Sequence, residues 1–205
     1  MRQLTAATAA SSVRPDAGHV VRRGGCEIVE VHVVSVSNLP TPRHMTTCDT
    51  KLILNQAVTI TGTRATGHRP HGDYTRLFDT YLAPFASDAE RVFYLGGALG
   101  IDSLALAWLA ETTAVQLVVV VPGTLAQQPA EARSAVARHR ARITEIVELR
   151  AAALNTAAYH ARNRYMVDRS GMTIGFPHAG GAGSGTWQTL DYTAELGKPR
   201  LIVPV

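Results

Sequence analysis

Residues 115–121 read Val-Gln-Leu-Val-Val-Val-Val. A short apolar run of this kind, rich in β-branched side chains, is the pattern of a strand buried on both faces, which is how parallel sheets are made. The neighbouring segments alternate around it. On the N-terminal side, Ala57–Thr61 is a β-rich run ending at Gly62, and Tyr74–Phe85 has helical apolar spacing at Leu77, Tyr81, Leu82 and Phe85. Val92–Leu95 is a second strand, and Ile101–Glu111 is an Ala/Leu-rich helix. On the C-terminal side, Pro129–Arg142 reads as a helix, Ile143–Leu149 as a strand, Ala151–Arg169 as a long helix and Met172–Phe176 as a strand. Thr189–Leu196 is a helix stopped by Gly197, and Leu201–Val203 closes the chain as a strand. Strands and helices in strict alternation predict an α/β domain with a Rossmann-like open parallel sheet and helices on both faces.

The first fifty-six residues read differently. Residues 1–25 are small and polar, as expected of a flexible arm, and 26–56 hold one alternating strand-like run and a Pro-rich break. The folded domain is therefore expected over 57–205. With 205 residues, 46% hydrophobic and 18% charged, the chain can bury a core, which excludes disordered and collagenous classes. Cys26 and Cys48 form no CxxC pair and have no His at finger spacing, so neither a zinc site nor another metal or cofactor is expected. No apolar run approaches the ~18 residues of a membrane span, and the N-terminus lacks the apolar core of a secretion signal. A cytoplasmic protein without a membrane partner is expected. Of twenty basic residues, all but Lys51 and Lys198 are Arg, and the excess over acidic residues lies after residue 120. Arg grips phosphate in a bidentate fashion, but a net charge of +4 permits an anionic ligand without demanding one.

In open α/β sheets ligands bind beyond the carboxyl ends of the strands, and three of those positions here are unusual. Gly62-Thr63-Arg64 follows the first core strand, and Gly96-Gly97-Ala98-Leu99-Gly100-Ile101-Asp102 follows the second. The fifth is followed by a loop containing Gly180, Gly181, Gly183 and Gly185, with Ser184 and Thr186 at its end. Glycine lets backbone N–H groups turn toward a ligand, and a helix starting at once adds its positive end. Three such turns on one edge would build an anion nest. None is a GxxxxGK[ST] loop, and none is GxGxxG with an acid about twenty residues on. A fourth cluster, Tyr159–Asp168, carries Arg162, Asn163 and Arg164; a mid-helix Asn is unfavourable unless its amide has a partner. His160 reads as a surface residue. Trp187 and Tyr165 are the aromatics available for base stacking.

GTR at 62–64, GGALGID at 96–102, RNRYMVD at 162–168 and GSGT at 183–186, in that order, resemble the SLOG superfamily. This Rossmann-like group includes DNA-processing protein A (DprA) and the LOG phosphoribohydrolases; the DprA branch looks nearest, with Leu99 where that branch usually has an Arg. The resemblance implies a pocket lined by Arg64, Gly97, Asp102, Arg162, Asn163, Arg164, Ser184, Gly185 and Thr186, with Gly62, Thr63, Gly96 and Gly183 in the same loops. It implies a ligand held by its phosphates, either a nucleotide-derived small molecule or single-stranded DNA, and a homodimer, since relatives often form one. The alternative it offers is nucleoside-monophosphate phosphoribohydrolase activity. LOG enzymes end their loop as PGGxGTxxE, and here Thr189 stands where that Glu belongs, so a binding role is the expectation and no catalytic residue is assigned.

Overall fold

The structure is a computed structural model, and it describes residues 57–178 and 183–205. The expectations for 1–25 and 26–56 lie outside the described residues. Among the described residues, six strands, β1 (Val58–Gly62), β2 (Val92–Leu95), β3 (Gln116–Val121), β4 (Ile143–Glu148), β5 (Met172–Phe176) and β6 (Arg200–Ile202), form one parallel sheet in the order β4-β3-β2-β1-β5-β6. The chain runs outward from β1 to β4, then crosses back to β5 on the other side of β1. The sheet therefore has its switch point between β1 and β5, where Val58 pairs with Met172 and Gly62 with Phe176. The α/β Rossmann-like architecture expected from the alternation is present.

Five α-helices connect the strands: α1 (His71–Tyr81), α2 (Ile101–Thr112), α3 (Ala130–Arg138), α4 (Thr156–Asp168) and α5 (Gly185–Glu195). The first three share one face of the sheet, where Ile60, Phe93, Leu95, Val119, Ile174 and Phe176 meet Phe78, Leu106 and Leu109 in the main core. The Phe78 ring stands edge-on to Phe176 at 5.4 Å between centroids. Helices α4 and α5 cover the opposite face, where Val118 and Val120 pack with Met166. Among the described residues, no helix is long and apolar enough to cross a membrane.

The helix expected over 74–85 runs instead over His71–Tyr81, and Ala83–Phe85 forms a separate 3₁₀ turn that carries Pro84. Three further helix boundaries differ from the sequence expectation, each for a local reason. The helix expected over 129–142 ends at Arg138, and Arg140–Arg142 tightens into a 3₁₀ turn. There Arg142 turns back to donate to the carbonyls of Ala110, Thr113 and Val115, satisfying the C-terminal end of α2 and the link to β3. The helix expected from Ala151 starts at Thr156, because the Asn155 side chain accepts from Ala158 N at 3.0 Å and caps it there. Helix α5 starts at Gly185, four residues earlier than expected, with Ser184 as its N-cap. The C-terminal arginine excess is largely consumed by such internal bonds: Arg133, Arg140, Arg142 and Arg200 all donate to main-chain carbonyls.

Candidate functional site

The connection after β1 and the start of α2 are fastened together, since Ile101 N donates to Thr63 O at 3.1 Å. Thr63 N in turn donates to Phe176 O at 3.0 Å, fixing the same loop to the end of β5. These bonds gather three strand ends around a cavity of about 610 Å³ at the switch point. Its volume is within the range of ligand sites, roughly 300–1,000 Å³. Gly62, Thr63 and Arg64 form one wall, Asp102 and Arg162 the floor, and Asn163 lies beside them. Gly183, Ser184, Gly185 and Thr186, at the N-terminus of α5, line the same cavity.

The two arginines of the cavity do different work. Arg162 is 6% exposed, and its guanidinium is held by several partners. Nη1 donates to Gly96 O and lies 3.8 Å from the Asp102 carboxylate, while Nε donates to Asn163 Oδ1 at 2.8 Å. The Asn163 amide reaches Gly185 O at 3.5 Å. One charged side chain and its neighbour thus tie together the end of β2, the start of α2, α4 and the start of α5. Burial pushes the Asp102 carboxyl above its ordinary value and Arg162 below its own; their mutual attraction and the Ala98 N–H at 3.3 Å oppose this. Arg64, by contrast, is exposed, and its guanidinium lies 5.1 Å above the Tyr159 ring, so its charge stands at the mouth of the cavity.

Three residues of the expected set stand outside the cavity lining. Gly96 lies under the Arg162–Asp102 pair, where a Cβ would collide with both side chains, so its glycine makes room for the pair. Gly97 packs toward Val119 and Val121 at a φ of 58°. Arg164 projects to the other side of α4, over the Tyr192 ring at 5.1 Å, because two helical residues are about 200° apart around the axis. Thr189 is buried and donates to Gly185 O at 2.7 Å, inside its own helix.

The structure also adds residues. Tyr159, His160 and Met166 line the cavity from α4, and His178 does so from the end of β5. Tyr159 and His160 precede Asn163 by four and three positions, so helical spacing alone would have placed them on its face. His160 is half-buried there, which corrects its reading as a surface residue. Neither Trp187 nor Tyr165 lines the cavity; the Tyr165 ring is covered by Arg169 at 3.6 Å. Among the described residues, no group of three or more His, Cys, Asp or Glu side chains is placed to hold a metal ion.

A six-stranded parallel sheet in this order, with its cavity at the switch point, is similar to solved structures of DNA processing protein A. The fold is DprA-like. Against the DprA structure from Streptococcus pneumoniae the TM-score is 0.54 at 18% identity, covering 76% of this chain and 52% of that one. Against DprA from Helicobacter pylori, in a structure concerned with that protein's single-stranded DNA binding mode, it is 0.55 at 20% identity, covering 75% and 68%. The chain thus spans about half the length of the S. pneumoniae protein it matches. No family model and no curated protein matches the sequence.

Proposed function

We propose that the cavity at the switch point binds the phosphate of a nucleotide unit, in single-stranded DNA or in a nucleotide-derived molecule. The observation that carries this reading is that two positive elements line one cavity. Arg64 lines it from the loop after β1, and the N-terminus of α5 at Ser184–Thr186 lines it from the loop after β5. A phosphate between them would gain charge-assisted hydrogen bonds from the guanidinium and the favourable end of the helix dipole. Arg162 contributes indirectly: paired with Asp102, it fixes the floor and, through Asn163, the position of the α5 start. The likeness to a protein whose structure concerns single-stranded DNA binding supports the same ligand class. A phosphate grip of this kind positions a strand without reading its sequence.

The test is a titration of AMP and of a dT oligomer against the wild-type protein and Arg64→Ala, each at two salt concentrations. Binding of either ligand that weakens in the variant supports the reading. Equal affinity in the two proteins contradicts it. A steep fall of oligomer affinity with salt marks several phosphate contacts and selects DNA over a small molecule.

A further inference from the structure

Among the described residues, β4 ends the sheet on one side and β6 on the other. The two edges differ. β6 has three residues and β4 has six, and a free edge of that length is a template for another strand. Both faces of β4 are only partly covered. Ile146 is half-buried against the main core, and Val147 and Leu149 are half-buried on the side of α4. The α4 side is thinly covered further in as well. There Val92 and Tyr94 of β2 and Tyr165 of α4 are half-buried, since two helices serve this face and three serve the other. Fifty-six residues precede Ala57, and Ala57 enters the sheet next to Val92, because Val58 pairs with Phe93. Within them, residues 28–36 read Ile-Val-Glu-Val-His-Val-Val-Ser-Val, with β-branched side chains available to both faces of a strand.

We propose that 28–36 adds to the free edge of β4 as a seventh, parallel strand, and that 37–56 returns to β1 across the half-covered face. Three constraints select this arrangement. The first is register. With His32, the one basic residue of the run, set beside the exposed Glu145, a parallel strand places Val33 beside Ile146, Val34 beside Val147 and Val36 beside Leu149. Reversing the direction about the same pair places Glu30 beside Val147. The second is length: the twenty residues 37–56 exceed the dozen or so that a parallel crossover needs. The third is handedness. Crossovers are right-handed, and those that move toward β6 here, through α4 and α5, pass on the α4 side. A return from the β4 edge to β1 moves the same way, and so brings Leu52-Ile53-Leu54, just ahead of β1, over Val92 and Tyr94. A return from the β6 edge would need the opposite face, where Ile174, Phe176, Val203 and Val205 are already buried. The added strand covers the half-open side chains and closes the edge to a second copy of the chain.

Hydrogen exchange of the full chain, read peptide by peptide, tests this in wild type and in Val33→Asp/Val34→Asp. Residues 143–149 should be protected in wild type and exchange about tenfold faster in the variant, with β3 and β5 unchanged. Fast exchange of 143–149 in wild type, or a variant that leaves it protected, overturns the proposal. Should the variant lose protection throughout the sheet, a cross-link decides. In the full chain carrying Cys26→Ser and Cys48→Ser, Val34→Cys with Val147→Cys should form a disulfide within one chain. Neighbouring strands lie about 4.8 Å apart, inside the range a disulfide bridges. Val33→Cys with Val147→Cys should not, because the two side chains would stand on opposite faces. No disulfide in the first pair, or equal yields in both, overturns the proposal. A disulfide joining two chains shows a second copy on β4 and overturns it as well.

Discussion

The two strands at the switch point show opposite characters on the two faces of the sheet. Toward α1–α3, β1 and β5 present Ile60, Ile174 and Phe176, all fully buried in a continuous apolar core. Toward α4 and α5 the same strands present Thr59, Thr61, Thr173 and Gly175. On that side hydroxyls pair: Thr59 with Ser170 at 2.8 Å and Thr173 with Thr193 at 2.8 Å. Gly175 lets α5 come close, since a Cβ there would lie 2.7–2.9 Å from the Leu190 side chain. One face is therefore held by filled volume and the other by small residues and specific bonds. The second arrangement brings the polar ends of α4 and α5 together over the switch point, where Asn163 reaches Gly185. Stability resides mainly on the first face, and the site is assembled on the second.

Substitutions on the two faces should separate these roles. The largest effect is expected at Phe176→Ala, which empties the apolar side and should cost about 3–5 kcal/mol in equilibrium denaturation. Asp102→Asn should cost about as much for a different reason, since it leaves the buried Arg162 without its counter-charge, on the order of 3–5 kcal/mol. The double variant Asp102→Asn/Arg162→Met should recover part of that loss; no recovery would show that the pair is not the cause. Arg64→Ala should leave the melting temperature in place while weakening a phosphorylated ligand by about 1.5–3 kcal/mol, the scale of a charged hydrogen bond. Thr173→Val should be the mildest, about 1 kcal/mol or less, because Thr193 keeps its bond to Thr189 O at 2.8 Å. A Thr173→Val loss as large as that of Phe176→Ala would erase the distinction between the faces.

Periodicity sufficed for the strands and for the edge of the sheet at which the cavity opens, because buried parallel strands leave short apolar runs between glycine turns. The ordered GTR, GGALGID, RNR and GSGT segments located the cavity walls. The division of labour among the arginines was not legible. Arg162, Asn163 and Arg164 are adjacent in sequence but point in different directions around α4, and nothing in their spacing says which one turns inward. Gly96 looked like ligand-facing glycine, whereas its missing Cβ accommodates a buried guanidinium supplied by a residue sixty-six positions later. Helix starts were displaced where a side chain capped the backbone locally. After β4 the chain turns through Arg150 at a φ of 53°, and α4 then waits for its Asn155 cap.

A grip on one phosphate by Arg64 and the start of α5 together has a direct signature in solution. The most direct measurement is the affinity of a dT oligomer for wild type and Arg64→Ala across a salt series. Tight wild-type binding that falls with salt is expected, with a weaker variant whose log–log slope is shallower by about one phosphate contact. Identical curves for the two proteins would contradict it.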